Sequence, residues 1–372
     1  MGKKVIAAGH ICLDITPVFP AQKAGKVSDI MIPGKLIHME GVDVHTGGSV
    51  ANTGLAMKYL GADVTLMGKI GADAFGDMVR SILSGYDVRQ GMLASEEEAT
   101  SYSVVVAIPG IDRIFLHDPG ANDTFGSADI DYRKAEEADL FHFGYPPIMK
   151  RMYRDGGKEL AEMFRRVKEA GTATSLDLAA VDADSEAGRA DWEEILGKTL
   201  PYVDFFVPSA EELCFMLDRE RYEAWNARAS GRDITEAITP EDVKPLGEKA
   251  AEMGAKTVLI KCGALGMYYR TAAAGEMEAL CGRLGLAMDQ WAGKEGFEKC
   301  FVPEKILSGT GAGDTSIAAF LVSVLEGCGI EEAVEMALAT GACCLSAYDA
   351  LSGLKPLAEL RKKIARGWSR CG

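Results

Sequence analysis

Near the end of the chain, the string SGTGAGDTSIAAF (residues 308–320) places Gly309, Gly311 and Gly313 ahead of a single carboxylate, Asp314, and then turns apolar. The apolar run predicts a helix from about Thr315, and the first N–H groups of a helix lack internal partners. Glycines leave such groups bare, so the turn can receive an anion at the positive end of the helix dipole. A carboxylate on that turn would repel a phosphate unless it takes a proton from a hydroxyl attacking the phosphate, while the N–H groups hold the developing charge. The plainer alternative is an ordinary N-terminal helix acid beside a tight turn. The string alone leaves both open.

A second constellation lies in HTGGSVANTGLAMKYLGADVTLMGKIGADAFG, residues 45–76. Gly47 and Gly48 permit close backbone approach before a helix, and Asn52, one turn in, offers both a donor and an acceptor to a polyol. Asp14, just past the first apolar strand, could accept two sugar hydroxyls or be simply solvated. Two familiar nucleotide loops are excluded. Trp192 stands where a GxxxxGK[ST] loop ending at Thr199 would need its first glycine, and GTGAGD carries Asp314 where a GxGxxG turn needs its last.

The rest of the chain has to position these residues. Its 372 residues suffice for a large α/β core, and its net charge of −15 is spread along the sequence, which argues against nucleic-acid or anionic-membrane partners. Nine cysteines without a CxxC pair suit reduced thiols and a cytoplasmic location, and five histidines form no metal spacing. The N-terminus reads as a strand rather than a signal peptide, and no run approaches a membrane span. Strands expected at 5–8, 140–143, 173–178, 203–207 and 257–261 alternate with helices at 158–170, 192–196, 210–217, 315–326, 331–347 and 357–365. That cadence predicts a largely parallel sheet covered on both faces, with ligands at the carboxyl ends of its strands. Two β-rich segments, 15–44 and a hairpin over 100–118 around Pro109-Gly110, fall outside the cadence. Residues 271–299 show no clean period.

Together these features resemble the PfkB/ribokinase family of carbohydrate kinases over nearly the whole chain. The opening strand with Asp14, GGSVANTG with LGADVTLMGKIGADAFG, PGAN at 119–122, FFVPSAEEL, VLIKCGALG and TGAGD occur in that family's order. The resemblance implies a ribokinase-like three-layer α/β/α sandwich spanning 1–372 as one unit, with a small β-sheet lid from segments 15–44 and 100–118 that closes over the sugar and excludes water. It implies ATP-dependent phosphorylation of a hydroxymethyl group on a ribose- or fructose-like sugar. Asp314 would be the general base, Gly311, Ala312 and Gly313 the anion hole, and Asp14, Gly47, Gly48 and Asn52 the sugar contacts. Lys261, Gly263, Gly266 and Thr310 would edge the ATP pocket, and Glu212 would organise Mg²⁺ through water or phosphate. A monovalent cation such as K⁺ and a homodimer through the lid edge are further expectations.

The chain departs from the family pattern at Ser209 of Ser209-Ala-Glu-Glu212, where the family has Asn, at Ser308, where the string often opens with Asp, and at Ala179 after Asp177. A nucleoside kinase and a non-catalytic sugar or nucleotide sensor on the same fold are the alternatives. A sugar-phosphate substrate would need further basic residues, for which Arg113 and Lys35 are the candidates.

Overall fold

The apolar run KVIAAG forms strand β1 (Lys4–Gly9), buried along all but its first residue. Such a strand requires cover on both faces. The computed structural model describes residues 2–21, 26–111 and 113–371. Along the chain β1 is followed by β2 (Cys12–Pro17), β3 (Val42–Gly47), β4 (Asp63–Gly71), β5 (Arg89–Ser95), β6 (Tyr102–Val106), β7 (Ile114–Asp118), β8 (Leu140–Gly144), β9 (Ala173–Leu176), β10 (Phe205–Phe206), β11 (Thr257–Lys261), β12 (Met267–Thr271) and β13 (Glu295–Glu298).

Nine strands make the central sheet in the order β13-β12-β11-β10-β9-β8-β1-β4-β5. All pairings from β5 to β11 are parallel, and β12 and β13 extend the far edge antiparallel. Because side chains alternate across a strand, β1 feeds two separate cores. Val5 and Ala7 join the helices Ser49–Tyr59, Ala312–Leu325 and Ile330–Cys344. Ile6 and Ala8 join the helices Lys158–Glu169, Trp192–Thr199 and Pro240–Glu252. The result is the expected three-layer α/β/α sandwich.

Strands β5, β12 and β13 carry no clear signal in the sequence. They lie at the two ends of the sheet, where RQGMLAS and EGFE carry too little apolar alternation to stand out. Residues 271–299 also hold the helix Ala274–Leu284, which buries only Met277, Leu280, Cys281 and Leu284, and the short helix Met288–Trp291. Trp291 is fully buried against Phe205 and Phe320, tying this segment to the core.

The two segments outside the cadence form one separate sheet of order β3-β2-β6-β7. It starts at Cys12 and reaches Gly47, wider than the expected 15–44, because β2 and β3 pair along their full length. Residues 22–25 and 112 of those segments lie outside the described residues. Among the described residues no helix is long and apolar enough to cross a membrane, and all nine cysteines are free thiols.

Candidate active site

Asp314 is the third residue of the helix Ala312–Leu325, which is apolar around its whole circumference and buried along nearly its whole length. Such a helix belongs inside a protein, and it carries its first turn, including Asp314, inward with it. Gly311 caps that helix at φ 71°, and a Cβ there would lie 2.3 Å from the Cβ of Ala350, so backbone conformation and packing both demand glycine. Gly313 differs. A Cβ on it would meet only the end of the Lys261 side chain at 3.8 Å, an ordinary contact. Internal packing does not require a bare residue at 313, whereas a ligand lying against the backbone would.

The N–H groups of Gly311, Gly313 and Asp314 make no hydrogen bond to the protein among the described residues, while Ala312, expected among the donors, directs its N–H to the Gly309 carbonyl at 3.3 Å. Ser308 receives the Thr310 N–H on its hydroxyl at 3.1 Å and bonds the Thr310 hydroxyl at 2.8 Å. It thereby closes the turn as a short polar side chain does in an ST-turn, which accounts for a serine at the head of the string.

Three donors converge on the Asp314 carboxylate. The Tyr145 hydroxyl reaches Oδ1 at 2.7 Å, the Thr53 hydroxyl reaches Oδ1 at 3.2 Å, and the Asn52 amide reaches Oδ2 at 3.0 Å. Burial pushes Asp314 above the usual carboxylate range, against the pull of Tyr145, Lys261, Asn52 and Thr53. A carboxylate shifted in this direction accepts a proton more readily near neutral pH. Asn52, expected to face the sugar, is thus engaged with the carboxylate. Thr53 and Tyr145 went unnoticed in the sequence, although Tyr145 follows the carboxyl end of a core strand, the position where such sheets bind ligands.

Asp14 lies on β2, paired with His45 of β3 and Ser103 of β6, while Ser103 pairs with His117 of β7. Residues directly opposite share a face, so these four make one polar row across the small sheet. The Cys12 thiol donates to Asp14 at 3.2 Å, and burial raises the Asp14 pKa. A Cβ on Gly47 would fall 2.2 Å from Asp14 Oδ2, and one on Gly48, at φ 83°, would fall 2.5 Å from the His10 carbonyl oxygen. Both glycines are therefore needed for contacts within the protein. His10, nearly fully buried, meets His117 of the small sheet at 3.3 Å between Nε2 atoms.

Lys261, at the end of β11, holds Asp177 at 2.8 Å in a largely buried ion pair. Burial pushes Asp177 up to about 8 despite the lysine. For Lys261, burial acts downward, but Asp177 and Glu212 outweigh it and keep the ammonium form. Glu212 accepts the Ser209 N–H at 2.8 Å, and the Ser209 hydroxyl accepts the Glu212 N–H at 3.3 Å. Ser209 thus completes a capping box at the start of the helix Ala210–Leu217. Gly263 and Gly266 shape the β11–β12 turn, where added Cβ atoms would fall 2.6 Å from the Thr235 hydroxyl and 2.0 Å from the Glu298 carbonyl oxygen. Among the described residues no group of three or more His, Cys, Asp or Glu side chains is placed to hold a metal ion. Arg113 reaches the phosphate-type turn, its guanidinium 3.8 Å from a Cβ placed on Gly309, and Lys35 is exposed.

A largely parallel sheet between helix layers thus carries a bare helix N-terminus beside a buried, hydrogen-bonded carboxylate. The chain belongs to the pfkB family of carbohydrate kinases, whose family model matches residues 6–356. It is a sugar kinase of that family, acting on an alcohol group. It is 24% identical over 337 residues to fructokinase-2 of Zea mays, covering 86% of this chain and 85% of that one. In fold it is similar to the ribokinase of Arabidopsis thaliana complexed with ribose and ATP (TM-score 0.68, 19% identity, 97% of this chain and 98% of that one). It is likewise similar to a putative ribokinase II from E. coli in complex with ATP and Mg²⁺ (TM-score 0.68, 19% identity, 98% of this chain and 100% of that one).

Proposed function

We propose that this chain transfers the γ-phosphoryl group of ATP to a hydroxymethyl group of a ribose- or fructose-like sugar. One observation carries the reading: Asp314 is buried at the third position of a helix whose Gly313 is bare without any packing need for it. Asp314 takes the hydroxyl proton, and the new O–P bond forms as the bond between the γ-phosphorus and the ADP oxygen breaks. The N–H groups of Gly311, Gly313 and Asp314 face the charge that develops, on a turn that Ala312 closes through Gly309. Asp14, Gly47, Gly48 and Asn52 bound the sugar, and Thr310, Lys261, Gly263 and Gly266 edge the nucleotide. Mg²⁺, when bound on the phosphates with Glu212 as outer partner, neutralises their charge; K⁺ near that turn belongs to the same proposal.

The whole chain acts as one cytoplasmic kinase unit in this reading, with the small sheet as a lid that excludes water over the sugar. Strand β7 is an edge of that sheet and exposes Ile114, Phe115 and Leu116, which supports a homodimer through the lid. Light scattering that returns only monomer would remove the dimer.

The deciding experiment measures ADP release with MgATP across pentoses, ketohexoses and nucleosides for wild type and Asp314→Ala. Turnover of a sugar bearing a free hydroxymethyl group, lost in the variant, is the expected result. A nucleoside as best acceptor would transfer the reading to that substrate class. Binding without ADP would make the chain a sensor.

A further inference from the structure

The two carboxylate oxygens of Asp314 are not equivalent as proton acceptors. An ionised carboxylate oxygen offers two in-plane acceptor positions. On Asp314, Oδ1 accepts from both the Tyr145 hydroxyl, at 2.7 Å, and the Thr53 hydroxyl, at 3.2 Å. Among the described residues, Oδ2 accepts only the Asn52 amide, at 3.0 Å. Oδ1 is saturated by the protein, whereas Oδ2 keeps one position open.

The backbone at Tyr145 indicates that this hydroxyl is delivered deliberately. Tyr145 lies in the left-handed region, φ 71° and ψ 38°, immediately before Pro146. A side chain with a Cβ seldom adopts that region, and a following proline favours extended backbone instead. Strain of this kind persists where surrounding contacts over-determine it, and it gathers at functional sites. The residue turns the chain sharply at the carboxyl end of β8 and aims its hydroxyl across to a different helix.

We infer that Tyr145 is a positioning residue that saturates Oδ1 and so commits Oδ2 of Asp314 to receive the substrate proton, an inference resting on the base reading above. Tyr145 does not exchange its own proton. Burial and the neighbouring Asp314 hold its pKa well above that of a free phenol, so it remains a donor throughout the working pH range. Asp314 carries the transferred proton until product leaves, and then releases it to solvent. Removing the hydroxyl strips one hydrogen bond from the charged form of the base and raises its pKa.

The test compares the pH dependence of kcat/KM in wild type, Tyr145→Phe and Asp314→Asn, using the sugar that turns over with MgATP. Phenylalanine keeps the ring and the backbone. The acid limb of the profile is expected to rise by about one to two pH units in Tyr145→Phe, a shift that one hydrogen bond to a charged group produces, with activity partly restored at alkaline pH. A uniform fall in kcat at every pH, or a change in KM alone, overturns the positioning role while leaving the base intact. An active Asp314→Asn overturns the base reading and this inference with it. A second readout needs no turnover: the titration midpoint of the Asp314 side-chain carbon by ¹³C NMR, identified by its loss in Asp314→Asn, should move up in Tyr145→Phe. An unmoved midpoint refutes the inference. If Tyr145→Phe fails to fold, Thr53→Val removes the other Oδ1 donor and should move the midpoint in the same direction.

Discussion

Asn52 and Asp314 are 262 residues apart in the chain, and the amide of the first donates to the carboxylate of the second at 3.0 Å. The bond joins the helix after the small sheet's glycine pair to the helix after the phosphate-type turn. Two helices far apart in the chain are thereby held in one register around Asp314.

Asp314→Asn removes the proton acceptor while preserving size. We expect kcat to fall by at least about a hundredfold, the lower range for a positioned general base, with the melting temperature nearly unchanged. Coupled ADP release and thermal melting measure the two quantities. Activity within tenfold of wild type would sink the assignment.

Gly311 and Gly313 separate a structural glycine from a ligand-facing one. Gly311→Ala forces a Cβ to within 2.3 Å of the Ala350 Cβ at a φ of 71° and should destabilise the fold, by at least about 1 to 2 kcal/mol from the left-handed conformation alone. Gly313→Ala meets nothing closer than 3.8 Å and should leave the melting temperature level while kcat/KM for ATP drops about tenfold or more, the loss of an anion-hole geometry. Equal stability losses in both variants would contradict the distinction.

Lys261→Met leaves Asp177, only 2% exposed in its side chain, without its cation. Breaking such a pair costs about 3 to 5 kcal/mol when the remaining group stays charged, and protonation of Asp177 relieves part of that cost. Its folded pKa, already pushed to about 8 by burial, rises further, far above an unfolded value of about 3.9. The native state then binds more protons than the unfolded one between those limits, so stability declines as pH rises. Melting curves at pH 5 and pH 8 should diverge more in the variant than in wild type. Parallel curves would argue against the assignment.

His142 is fully buried between the hydroxyls of Ser49, at 3.4 Å, and Ser175, at 3.0 Å. Burial and then Lys261 depress its pKa to about 3. The unfolded chain takes up a proton near pH 6.5 that the native state refuses, so stability is full above that pH and falls below it by about 1.4 kcal/mol per pH unit for this residue. His142→Gln should flatten the decline in melting temperature between pH 6.5 and 5. An unchanged slope would show that other groups govern acid sensitivity.

The central α/β alternation was readable because each buried strand and amphipathic helix carries its own period; β1, β8 and β11 appear in the residue string as short apolar runs. TGAGD stood out through its glycine spacing, which acts over a single turn. The edge strands β5 and β13 did not, since a strand covered on one side needs little of the apolar pattern. The roles of the smaller residues depended on folding. Ser209 and Ser308 looked like losses against the family pattern, yet each closes a local cap that a side-chain oxygen can serve. Gly47 and Gly48 each carry a packing demand that the string does not reveal, since a Cβ there would meet Asp14 or His10.

Sequence alone therefore determined the layer architecture and the glycine-rich string that carries Asp314, because these rest on periodicity and short-range backbone chemistry. Tertiary structure decided what surrounds that carboxylate. Tyr145, Asn52 and Thr53 come from two other elements of the fold, and hydrogen bonds reaching over hundreds of residues leave no local pattern in the chain that makes them.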